Sequence, residues 1–126
     1  MHDFIEKFLE NYKLATDRQR KREFWNVEGI IKGKSNQSFK FDLRPIIKNA
    51  KGGSFKTKAD KMVFDVKDQY ILVDVEELHE YLKNNDTKVV FLNDLISKLD
   101  WNIILVKENI WFIQLYVLII FLKNLI

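Results

Sequence analysis

The chain has 126 residues, no cysteine, 47% hydrophobic residues and a formal net charge of +3. This length predicts a single domain over residues 1–126, which can bury somewhat under ~70% of its unfolded surface and needs no metal or disulfide for its core. The lack of cysteine excludes disulfide scaffolds, zinc–thiolate sites and cysteine catalysis. The N-terminal residues mix acids with apolar residues and contain no uninterrupted hydrophobic run, so no secretory signal is predicted and we expect a cytoplasmic protein.

The first predicted element is a helix from about residue 3 to 16. Its apolar residues recur at helical spacing, and Asp3 with Glu6 three positions later resembles a capping box. The cations that follow, among them Arg20 and Arg22, either extend this helix or form a basic elbow. They could contact phosphates, or they could form a solvated helix end whose charges complement the helix dipole.

Alternation of apolar and polar residues then predicts four strands. Residues 25–31 and 39–43 flank the turn GKSNQ, which indicates a hairpin with one buried face and one solvated face. Residues 62–66 and 70–73 form the third and fourth strands around another short turn.

The apolar period changes after the fourth strand. It predicts a helix over residues 76–84 and a helical segment over residues 92–99, with a short strand at residues 89–92 before it. We therefore predict an α+β fold with an N-terminal helix, a mostly antiparallel sheet of about four strands in meander order, and helices packed on one face.

Residues 110–122 contain no charged side chain. As a helix this segment would be ~20 Å long, well short of the ~30 Å hydrocarbon thickness of a bilayer, so a membrane span is not expected. It could be a buried central element, a homodimer interface within residues 110–126, or a membrane-associated surface.

Charge is distributed unevenly along the middle of the chain. Residues 44–58 hold five basic residues and no acid, whereas residues 60–80 hold seven acids and two lysines, which predicts two oppositely charged surfaces. The basic part includes the loop KNAKGGSFKTK. Its glycines let the backbone approach a phosphate, its lysines neutralise it, and Phe55 can stack on an unpaired base. Alternatively, this loop is a mobile polar connection and Phe55 lies in the core.

Two common catalytic motifs are missing from the sequence. GGSFKTK lacks the Gly-Lys-Ser/Thr ending of a phosphate-binding P-loop, and no serine or threonine stands in a nucleophile elbow, which disfavours nucleotide hydrolysis. His79 has no second histidine nearby and is typical of a surface residue.

Three carboxylates lie at neighbouring strand ends. Asp60 precedes the third predicted strand, and Asp74 and Glu76 follow the fourth, so they could converge on one Mg²⁺ ion. Over roughly residues 52–82 this arrangement resembles the core of PD-(D/E)xK nucleases, in which an acid opens one strand and an acid-x-lysine motif ends the next, before a helix.

The resemblance implies that Asp60 and Asp74 are metal ligands and that Glu76 is a further ligand or orients a water. The sequence departs from the family pattern at Ala59, where proline is usual, and at Glu76, where lysine is usual. Alternatively, Asp74 is the N-cap of the following helix, with Glu77 completing a capping box, and Asp60 only ends a loop.

The function we expect is a small non-catalytic cytoplasmic binding module that engages nucleic acid or a nucleoprotein and needs no cofactor. Such a domain would suit a phage or mobile-element accessory protein, including an inhibitor that occupies another protein's nucleic-acid groove. The alternatives are a Mg²⁺-dependent nuclease that uses the three carboxylates and a structural oligomerisation module. The residues predicted to bind nucleic acid are Arg20, Arg22, Lys48, Lys51, Phe55, Lys56 and Lys58.

Overall fold

The computed structural model of this chain describes residues 2–34, 36–45, 55–85 and 91–107. The helices in these ranges are α1 (His2–Phe8), α2 (Asp17–Glu23), α3 (Val75–Asn85) and α4 (Leu92–Lys98). The strands are β1 (Leu9–Leu14), β2 (Val27–Ile31), β3 (Ser38–Pro45), β4 (Lys61–Val66), β5 (Gln69–Asp74) and β6 (Asn102–Val106).

These strands form one six-stranded sheet whose spatial order follows the sequence from β1 to β6. Neighbouring strands are antiparallel except β3 and β4, which pair in parallel from Phe41 opposite Lys61 to Pro45 opposite Asp65. A parallel pair needs a crossover connection, here residues 46–60. The predicted α+β class is therefore confirmed, whereas the prediction of a mostly antiparallel sheet of about four strands understated the sheet, which has six strands and one parallel pair.

Both faces of the sheet are covered by apolar residues. Along β4, Met62 and Phe64 belong to a first apolar cluster that α3 and α4 complete, whereas Val63 belongs to a second cluster that α1 completes. The prediction that the helices pack on one face was therefore wrong. The cause is that β4 and β5 are apolar on both sides, and a strand of that kind must be covered twice.

The single helix predicted over residues 3–16 is divided in the structure. α1 ends at Phe8, and Leu9 begins an edge strand that pairs with β2, so tertiary pairing overrides the helical spacing of the apolar residues. The basic residues that follow form the separate helix α2. Thr16 caps it in a complete capping box, because its hydroxyl accepts from Gln19 N at 3.2 Å and Gln19 Oε1 accepts from Thr16 N at 2.9 Å.

β1 and β2 pair through a bulge at Gly29. Glu10 lies opposite Ile30 and Lys13 opposite Glu28, so two residues of β1 share the position opposite this glycine. A Cβ atom on Gly29 would lie 3.0 Å from Tyr12 Cβ, so the close approach of the two strands needs a glycine here.

The two hairpins β2–β3 and β4–β5 and the helices α3 and α4 lie where the sequence predicted them. β6 was not predicted; it pairs with β5 at the edge of the sheet. Of the strand predicted at residues 89–92, Leu92 instead begins α4 and the rest falls largely outside the described residues, as does the whole of residues 110–126. Within the described ranges, no helix is long and apolar enough to cross a membrane.

Candidate functional site

A depression of about 360 Å³ lies where the end of α2, strand β3 and the loop of residues 55–59 meet. We call it the basic depression, because its lining contains three cations and one carboxylate. The lining residues are Arg20, Phe24, Trp25, Asn26, Asp42, Leu43, Arg44 and Lys56.

α2 supplies one cation, Arg20, to the basic depression. The helix buries none of its residues, so Arg18, Arg20, Lys21 and Arg22 are all exposed. The guanidinium of Arg20 donates to the carbonyl of Ala15 at 2.9 Å and is paired with the carboxylate of Asp17. Arg20 is thus oriented by its own helix.

The 55–59 loop is fixed to the end of α2 by hydrogen bonds. The buried Thr57 hydroxyl donates to the Phe24 carbonyl at 3.2 Å and accepts from Ala59 N at 3.1 Å. The amide of Lys58 donates to the Glu23 carbonyl at 2.8 Å. Lys56 and Lys58 are exposed on either side of the buried threonine, and Lys56 lines the basic depression together with Arg20.

β3 supplies the third side of the basic depression. The Nε and Nη2 atoms of Arg44 each lie 2.8 Å from an oxygen of Asp42, which forms a bidentate pair. The Asp42 carboxylate is buried, so this pair fixes the orientation of the guanidinium. Asn26 ties the end of α2 to the same strand, since its Oδ1 accepts from Leu43 N at 2.8 Å and its N–H donates to Phe41 O at 2.8 Å.

Two adjacent aromatic residues at the end of α2 have opposite environments. Trp25 is 3% exposed and belongs to the first apolar cluster, with Lys40 Nζ 5.2 Å from its ring centre. Phe24 is 41% exposed and caps the helix in the left-handed conformation, with φ 64° and ψ 28°. The ring of Phe24 is therefore the exposed aromatic group of the basic depression.

The predicted nucleic-acid-binding residues lie in several environments. Arg20 and Lys56 line the basic depression, Lys58 follows in the same loop, and Arg22 is exposed on α2. Lys48 and Lys51 lie outside the described residues. Phe55 is half-buried and packs against the first apolar cluster, and its carbonyl oxygen lies 2.7 Å from His79 Nε2.

Sequence reasoning missed Phe24, Asp42 and Arg44. The signal available for Phe24 was its position between a run of cations and a tryptophan. Asp42 and Arg44 alternate with the apolar residues of β3 and were assigned to a solvated strand face, which was wrong for Asp42, since it is buried.

A second depression, of about 410 Å³, contains the three carboxylates that suggested a metal site. Its lining includes Asp60, Lys61, Asp74, Glu76 and His79, and we call it the acidic depression. The structure thus brings Asp60, Asp74 and Glu76 to the lining of one depression.

Two of the three carboxylates of the acidic depression, Asp60 and Asp74, have structural partners. Asp74 Oδ2 accepts from Glu77 N at 3.0 Å as the N-cap of α3, and its Oδ1 accepts from Lys61 Nζ at 2.8 Å. Asp60 Oδ2 accepts from Lys40 N at 2.8 Å. Across the described ranges, no group of three or more His, Asp or Glu side chains is arranged to hold a metal ion, so this geometry does not support the nuclease hypothesis.

Lys61 fills the inner side of the acidic depression. The residue is 6% exposed, and its ammonium lies 3.6 Å from the ring centre of Trp101 and 4.7 Å from that of Phe39. The Glu77 carboxylate fixes the backbone at Trp101, since it accepts from Asp100 N at 3.2 Å and from Trp101 N at 2.9 Å. Glu77 therefore anchors the connection between α4 and β6 instead of completing a capping box.

Comparisons of the chain with protein-family models, with curated proteins and with solved structures found no match. Inference about function therefore depends on the chemistry of the two depressions.

Proposed function

We propose that this protein is a non-catalytic module that binds nucleic acid, free or within a nucleoprotein, through the basic depression and the exposed cations beside it. The observation that carries the proposal is the convergence of Arg20, Arg44 and Lys56 around one depression that also exposes Phe24. Cations and an exposed aromatic ring at one site are the groups that bind phosphates and bases.

Three further exposed cations on α2 add a second basic surface, outside the lining of the basic depression. Arg18, Lys21 and Arg22 are exposed on a seven-residue helix, which is ~10 Å long. This length corresponds to about three phosphates along one strand of a duplex. The surface therefore has the size and charge to contact a short run of phosphates.

Binding without catalysis fits the carboxylate of the basic depression. Among the residues that line it, Asp42 is the carboxylate, and Arg44 holds both of its oxygens. A carboxylate held in this way orients a cation and does not act as a general base. The bidentate pair favours a binding role for this site.

The experiment is a salt series of binding constants for single- and double-stranded DNA and RNA. We expect binding at low salt, with log K falling linearly as log salt concentration rises. Arg22→Gln and Lys56→Gln should each weaken binding to all sequences alike and reduce the salt slope by about one. The matched control is Lys7→Gln, because Lys7 is exposed on α1 on the opposite face of the sheet and should leave both quantities unchanged.

Two results would contradict the proposal. One is the absence of binding to any of the four nucleic acids at low salt. The other is an equal effect of Lys7→Gln and Lys56→Gln, which would mean that net charge matters and the basic depression does not.

A further inference from the structure

We infer that Phe24 stacks on an unpaired nucleobase, so that the basic depression selects single-stranded over double-stranded nucleic acid. This inference rests on the proposed function and specifies the substrate class of the same site. It assigns to Phe24 a contact with the base, whereas the surrounding cations contact the backbone.

The backbone holds the Phe24 ring outside the core. Residues other than glycine rarely adopt the left-handed conformation that Phe24 has here. Its N–H donates to Gln19 O at 3.2 Å and its carbonyl accepts from the Thr57 hydroxyl at 3.2 Å, so both polar groups of its backbone are engaged. The backbone position of Phe24 is thereby fixed with its ring partly exposed, and the neighbouring Trp25 fills the core position instead.

The surroundings of Phe24 supply the other half of a nucleotide site. Arg20, Arg44 and Lys56 line the same depression, so a base on the Phe24 ring would have its phosphates within reach of cations. The arrangement of aromatic ring and basic groove is the one that single-strand-binding proteins use. The volume of about 360 Å³ is at the small end of the ~300–1,000 Å³ range of ligand sites and suits a single nucleotide.

A duplex presents no free base face to this site, whereas a single strand does. The faces of the duplex bases are covered by neighbouring base pairs, so a base must be unpaired and unstacked before it can lie on Phe24. The α2 cations can still contact duplex phosphates. Selectivity should therefore appear as a ratio of affinities that depends on Phe24.

The test compares Phe24→Leu with Phe91→Leu in the full chain, using fluorescence anisotropy of a labelled oligothymidylate and of a duplex. Phe91 is 67% exposed at the start of α4, which makes it a matched control for loss of an exposed ring. We expect Phe24→Leu to weaken single-strand binding by about 5- to 150-fold without changing the salt slope or duplex binding. Phe91→Leu should have no effect, and Phe24→Trp should retain binding.

A second measurement needs no variant. The wild-type protein should bind the oligothymidylate more tightly than an abasic oligomer with the same number of phosphates. Equal affinity for these two oligomers, or equal single-strand affinity of wild type and Phe24→Leu, would overturn the stacking inference and leave phosphate binding standing. Failure of the wild type to bind any oligomer at low salt would instead overturn the proposed function itself.

Discussion

The Lys61–Asp74 ion pair predicts unequal effects of removing its two charges. Asp74→Asn keeps a good N-cap for α3 but leaves the Lys61 ammonium without its counter-charge. Lys61→Met puts an apolar side chain of similar length beside Trp101 and Phe39, where the ammonium lies now, and leaves Asp74 without its cation. The side chain of Lys61 is 7% exposed and that of Asp74 is 24% exposed, so water can compensate the aspartate better than the lysine.

The burial of the ion pair and the two aromatic rings around Lys61 determine the expected loss of stability in each variant. Breaking a buried ion pair from one side costs about 3–5 kcal/mol, and the two rings around Lys61 recover about 0.5–2 kcal/mol. We therefore expect Asp74→Asn to lower the free energy of unfolding by about 3 kcal/mol. Lys61→Met should lower it by about 1 kcal/mol, since Asp74 retains the Glu77 amide and partial hydration.

Urea unfolding followed by circular dichroism measures both losses. The midpoint should shift while the m-value stays constant, which shows that stability changed and the unfolded state did not. The double variant Lys61→Met/Asp74→Asn should be more stable than the sum of the single losses implies, because it leaves no buried charge unpaired. Equal losses, or a larger loss for Lys61→Met, would refute the reasoning from burial.

The remaining predictions concern the sheet. Gly29→Ala should lower the free energy of unfolding by about 1 kcal/mol. The new Cβ would crowd Tyr12, which costs about 1–3 kcal/mol, whereas the lower conformational entropy of the unfolded chain stabilises the variant by about 0.4–1 kcal/mol. Unchanged thermal stability would contradict this prediction. Burial raises the pKa of the Tyr70 phenol above its ordinary value of 10.0, and the charges of Asp65 and Asp3 add to the rise. The folded state then holds this proton more tightly than the unfolded chain, so the contribution of Tyr70 to stability should be fully present below about pH 9 and be lost as pH rises past about 10 toward the folded pKa. Denaturation across alkaline pH checks this, and Tyr70→Phe should flatten the fall.

The sequence predicted those strands and helices in which apolar and polar residues alternate regularly along the element. β2 and β3 each have one apolar face, so period-two alternation located both strands and the turn between them. β1 lacks this signal, since Leu9 is its only buried residue and Tyr12 and Leu14 are exposed. Its strand conformation depends on pairing with β2, which no local pattern reports.

The choice of strand partners was not readable from the sequence. β3 pairs with β4 in parallel across a long connection, and residues on either side carry no local mark of their partner. β6 is a run of mostly apolar residues, and its strand conformation is defined by pairing with β5.

The sequence indicated several cations of the candidate site but did not indicate its exposed aromatic residue or its Asp42–Arg44 pair. Arg20, Lys56 and Lys58 were identified because cations cluster in the sequence near them. Phe24 was missed because its exposure depends on a left-handed backbone, and a phenylalanine gives no sign of that conformation as a glycine or asparagine would. Whether Arg44 contributes to a site depends on its pairing with the buried Asp42, which requires the folded strand.

The most direct test of the central claim is a map of the amides that respond to nucleic acid in ¹H–¹⁵N spectra of the full chain. Titration with a short single-stranded oligonucleotide at low salt should shift the amides of α2, of residues 24–26 and 42–44 and of the 55–59 loop, and added salt should reverse these shifts. Shifts confined to α1 or to the helices α3 and α4, or no shifts at all, would contradict the account.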